Sequence, residues 1–64
     1  MDKQKINQAL KVRGIKQKTI AKNLGVTPQA VNAVVRGKNI FRIRLAIADA
    51  IGKSVSEVFP ETGE

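Results

Sequence analysis

The stretch "QKTIAKNLGVTPQAVNAVVRG", Gln17 to Gly37, sets an alanine, a glycine and a Thr-Pro pair inside a run that otherwise has helical spacing. Gly25 stops one helix, and Thr27-Pro28 restarts another almost at once. Glycine adopts positive φ without steric cost, so it ends a helix and redirects the chain. Thr27 offers a capping oxygen, and Pro28 sits in the first turn, where a missing N–H costs nothing. Only Gly25, Val26 and the cap Thr27 remain for the connection. So short a turn must throw the second helix sharply across the first.

The residues around the turn suit that crossing. Ala21, one turn before Gly25, keeps the backbone approachable where the helices come closest. Ile20, Leu24, Val26, Val31 and Val34 supply an apolar wedge between them. Positions 20, 21, 24, 25, 26, 31 and 34 together meet the demands of a helix-turn-helix. An ordinary αα-hairpin explains the apolar positions equally well. It does not explain what the second helix turns outward.

That outward face is Gln29, Asn32, Ala33 and Arg36, spaced i, i+3, i+4 and i+7. Gln and Asn can bond an adenine edge bidentately, and an alanine methyl can touch thymine in the major groove. Gln29, Asn32 and Ala33 are therefore the expected base-reading residues. Arg36, at the helix end, suits a phosphate better than a base. Gln17 opens the preceding helix, whose N-terminal amides can cradle a phosphate, and Thr27 is placed similarly one helix later. Lys38, Asn39, Arg42 and Arg44 add donors beyond Gly37. For each of these residues the bland alternative is plain solvated polarity, so the expectation rests on the group.

Charge points the same way. Twelve Lys/Arg stand against five Asp/Glu in 64 residues, a net charge of +7. Residues 1–44 hold eleven of the cations and only Asp2 among the acids, +10; residues 45–64 hold Lys53 and four acids, −3. A solvated surface mixes signs, so this split favours a polyanion partner for the first two-thirds of the chain. The absence of Cys and His excludes disulfides, thiolate or imidazole metal sites and Cys- or His-based catalysis. No metal, cofactor or small-molecule ligand is expected. No apolar run approaches the roughly 20 residues that span a bilayer, and the start "MDKQKINQAL" lacks the apolar segment of a signal peptide. A cytoplasmic protein without membrane contact is the expectation.

Helical punctuation continues on both sides. Helix 1 is expected at about 3–13, with Asp2 as N-cap, Ile6 and Leu10 apolar and Gly14 as its stop. Helix 2 is expected at about 17–23, and helix 3 runs from Pro28 to the stop at Gly37. Helix 4 covers about 41–51, with Ile43, Ile47 and Ile51 at four-residue steps and Gly52 after it. Ser54-Val55-Ser56-Glu57 is a capping box opening a short fifth helix, followed by a loose tail at 60–64. The expected fold class is all-α: one domain, a compact bundle of five short helices. Val55, Val58 and Phe59 offer more apolar surface than so short a helix can bury, so they are the expected homodimer interface. Alternatively Phe59 closes the base of the core.

With "QKTIAKNLGVTPQAVNAVVRGK" and "LAIADAIGKSVSEVF" in hand, the sequence resembles the phage Cro and repressor (XRE) family of helix-turn-helix regulators over roughly residues 4–59. The resemblance implies a lambda-repressor-like five-helix domain with helix 3 in the major groove. It also implies dimers on pseudo-palindromic double-stranded DNA operators, with contacts at Gln17, Thr27, Gln29, Asn32, Ala33 and Lys38. Lys16 departs from the family's Ser or Thr cap, leaving the start of helix 2 less well satisfied. Pro28 replaces a base-contacting polar residue of some relatives, which narrows readout to fewer side chains. The sequence ending just after helix 5 leaves no room for a small-molecule control domain.

Other classes fit less well. An enzyme lacks its groups, since Asp49 and Glu57 lie on polar helix faces. A cationic membrane-surface peptide would flank one continuous apolar face with its basic residues. Structured RNA shares the phosphate chemistry, but Phe41 and Phe59, the only aromatics, make no stacking platform. An antitoxin or other protein-binding module on the same fold is the remaining rival.

Overall fold

The computed structural model describes residues 1–60, which form five helices with no strand among them. Of the expected tail, the part beyond Pro60 lies outside the described residues. The helices are α1 (Lys3–Val12), α2 (Gln17–Leu24), α3 (Pro28–Val35), α4 (Phe41–Ile51) and α5 (Val55–Val58). The all-α class and the order of elements are those expected, with boundaries shifted by one residue at α1, α2 and α3, where Arg36 is the C-cap. Arg13 leaves helical geometry to become the C-cap of α1, whereas α2 keeps Leu24 because the left-handed turn falls on Gly25 itself.

Local chemistry accounts for most of the ends. Asp2 accepts from the Lys5 amide at 2.9 Å, and Thr27 Oγ1 accepts from the Ala30 amide at 3.1 Å. Both satisfy first-turn N–H groups that have no partner within the helix. Lys16 stands at the N-cap of α2 and makes no such side-chain bond, as its departure from Ser or Thr implies. Ser54 and Glu57 form a reciprocal capping box around α5. The Ser54 amide, then the Ser54 hydroxyl, then the Lys53 charge hold the Glu57 carboxyl below its ordinary value. A lowered carboxyl favours folding above the ordinary carboxylate range and loses that contribution as pH falls through the shifted value.

The core gathers from all five helices. Ile6 and Leu10 of α1, Ile20 and Ala21 of α2, and Val31, Val34 and Val35 of α3 meet Ile43, Ile47, Ala48 and Ile51 of α4. Val58 and Phe59 close it from below at 0% and 7% exposure. The expectation that they form an apolar outer surface is corrected here: in a core this small their side chains are needed inside. Val55 alone stays half-buried. The Met1 ammonium donates to the Val58 carbonyl at 2.7 Å, tying the start of the chain to the end of α5. No helix among the described residues is long and apolar enough to cross a membrane.

The turn between α2 and α3 has the geometry its residues require. Gly25 sits at φ 72°, ψ 31°, and the Val26 amide donates back to the Ala21 carbonyl at 3.0 Å. This closes α2 with a Schellman turn. Ile20, Ala21, Val31 and Val34 are buried between the two helices and their neighbours, with Leu24 and Val26 packed at the margin. α2 and α3 are a helix-turn-helix.

Candidate nucleic-acid interface

Burying Val31, Val34 and Val35 settles which way the rest of α3 points. Gln29, Asn32, Ala33 and Arg36, together with Pro28 and Gln17, line one shallow depression on the surface. The lining holds three neutral amides, a methyl, a proline ring and one guanidinium, with no carboxylate. The wall offers donors, acceptors and an apolar contact, with net positive charge. That is the chemistry of a surface that meets base edges between phosphates.

The amides are also organised. The Asn32 Nδ2 donates to Gln17 Oε1 at 3.3 Å, and Gln17 Nε2 in turn donates to Asn7 Oδ1. The chain Asn32–Gln17–Asn7 therefore crosses from α3 through α2 to α1. It uses one of the two Asn32 N–H donors, and the amide has an Oδ1 and a second N–H besides. An acceptor beside a donor on one amide matches the N6 and N7 edge of adenine. Gln17 likewise keeps one N–H for an outside acceptor. Asn7 was absent from the sequence expectation. Its only signal is its place next to the core residue Ile6, which does not say that α2 begins within reach of it.

The other expected residues divide. Thr27, Lys38 and Asn39 are exposed and flank α3 at its two ends, the Thr27 oxygen already engaged in capping. Arg42 is exposed and donates to the Leu24 carbonyl at 3.3 Å, bracing the start of α4 against the turn. Arg44 is half-buried. Its guanidinium carbon lies 5.1 Å from the centroid of the Phe59 ring, and it lines a different depression, with Met1, Val58 and Phe59. The structure thus gathers Gln17, Gln29, Asn32, Ala33 and Arg36 around one depression, and Arg36 also lines the one that holds Arg44. Among the described residues no cluster of metal-ligating side chains is found.

Comparison with known proteins gives one family. The model of the winged helix-turn-helix DNA-binding family matches residues 1–62. No curated protein and no solved structure matches the chain. With no strand among the described residues, these residues form no wing, and what they share with the family's description is the helix-turn-helix.

Proposed function

The chain belongs to the winged helix-turn-helix DNA-binding family, and from that premise we propose that it is a sequence-specific regulator of transcription. It docks α3 in the major groove of double-stranded DNA. Gln29, Asn32 and Ala33 read base edges, while Gln17, Thr27, Arg36, Lys38 and Asn39 hold phosphates. The carrying observation is the outward face of α3, gathered with Gln17 in a single acid-free depression. The relay through Gln17 presents Asn32 to the groove in a fixed orientation, which makes Asn7 a positioning residue for readout.

The working unit in this reading is a homodimer on a pseudo-palindromic operator. The described residues measure 31 × 22 × 17 Å, less than the roughly 34 Å between successive major-groove openings on one side of the duplex. One copy therefore reads one half-site. A compact regulator of this kind represses by occupying DNA that a polymerase needs, in the manner of the Cro and phage repressors it resembles. Its place is the bacterial cytoplasm, at the nucleoid.

Selection of bound duplexes from a random pool tests the proposal. The expected outcome is two inverted half-sites with centres about one helical turn apart. Recovery of duplexes with no common sequence would leave a basic, non-specific binder and contradict it.

A further inference from the structure

Helix α4 carries two large apolar side chains that the fold leaves in solvent one turn apart. Phe41 is 63% exposed and Leu45 43%. Val12 is more exposed still, but it stands alone at the end of α1. The remaining sides of α4 are occupied. Ile43, Ile47, Ala48 and Ile51 face the core, Ala46 and Ala50 lie toward α2 with the exposed Asp49 at the edge of the same depression, and Arg44 lies over Phe59. At about 100° per residue, Phe41 and Asp49 fall about 40° to either side of Leu45, with Arg42 about 20° beyond Asp49. The exposed strip thus has Leu45 at its middle, Phe41 on one flank, and Arg42 and Asp49 on the other.

We infer that this strip docks a second copy of the chain, α4 against antiparallel α4, about a two-fold axis at Leu45. This rests on the DNA-binding reading above. The charges select the occupant. A two-fold axis across an antiparallel pair reverses direction along the helix and preserves its flanks. Arg42 lies about 4.5 Å from the axis in one direction and Asp49 about 6 Å in the other, so Arg42 of each copy meets Asp49 of the other. The contact is made twice, as an isologous interface demands, and the two helix dipoles oppose favourably. Arg42 uses one of its five N–H donors on Leu24, leaving the rest for this contact. Phe41, on the opposite flank, points toward the Gly52 end of the other copy, where the Arg13 guanidinium lies against the glycine and can meet the ring as a cation.

The same facts set its strength. Two large apolar side chains per copy fall far short of the roughly 1,200 Å² of a stable interface. Two chains of net charge +7 also repel each other. DNA removes both obstacles, by neutralising the charge and by holding two copies side by side, where a weak contact becomes effectively intramolecular. The chain is a monomer in free solution and pairs on its operator.

The test uses the absence of cysteine, which makes Leu45→Cys the sole thiol and places it on the axis. On the duplex recovered from the random pool, Leu45→Cys is expected to form a disulfide-linked dimer under mild oxidation. Without DNA it stays monomeric, and Val12→Cys does not cross-link in either state. A second variant, Phe41→Ala with Leu45→Ala, is expected to melt as the wild type does. It binds a duplex with one half-site unchanged and loses roughly tenfold or more on the full duplex. No cross-link of Leu45→Cys on a duplex carrying two copies overturns the surface, as does unchanged full-duplex binding by the double variant. Either result leaves DNA binding standing. Failure of the wild type to select any sequence removes both.

Discussion

At residue scale, the proposed base-reading residues are short side chains whose meaning depends on what else holds them. Asn32 on its own is a half-buried amide on a helix. Tied through Gln17 to Asn7, it becomes an amide whose orientation is set by a partner on another helix. Asn7→Ala should leave melting unchanged, since Asn7 is exposed. It should weaken the best duplex by roughly 0.5–1.5 kcal/mol, the net worth of one hydrogen bond. The loss should come with a relaxed preference at the base pair Asn32 reads, measured by titrating single-base variants of the site. An equal loss on every sequence would show that the relay does not orient a reading residue. Arg44 is held differently: its guanidinium lies over the ring of Phe59, in a depression that Arg36 also lines.

At the scale of elements, caps and stops explain why the sequence reading placed all five helices within about a residue. Asp2, Thr27, Ser54 and Gly25 act on amides and dihedrals within five residues of themselves, so their effect is legible locally. Where α5 packs is not local. Whether Val58 and Phe59 face solvent or core depends on the approach of α1 and α4, and nothing in "SEVF" reports that. The same holds for Asn7, whose partner lies ten residues away on another helix. The local rules make two predictions. Lys16 leaves α2 without a side-chain cap, so Lys16→Thr should stabilise the fold by about 0.5–1 kcal/mol, read as a melting point several degrees higher. Gly25 has φ 72° and open space where a Cβ would stand, so strain alone decides its substitutions. Gly25→Val should cost about 1–3 kcal/mol and Gly25→Asn distinctly less. Equal melting of the two would contradict the left-handed turn.

At the scale of the whole molecule, the charge split along the chain bears on the proposed contacts with phosphate. Eleven of the twelve cations fall in residues 1–44, the stretch that includes the helix-turn-helix, and four of the five acids fall after Ala48. Lys38→Ala should weaken binding to specific and random duplexes alike and flatten the salt dependence by about 0.9 in the log–log slope. An unchanged slope would take Lys38 out of the interface. The central claim, that the outward face of α3 reads sequence, is tested most directly by Gln29→Ala. Its affinity should be measured against every single-base variant of the selected duplex. The account predicts a loss of roughly 1–3 kcal/mol on the best site and a lost preference at one base pair in each half-site, with the other positions discriminated as before. A uniform loss across all variants would mean that Gln29 holds only phosphate, and that α3 does not read DNA as proposed.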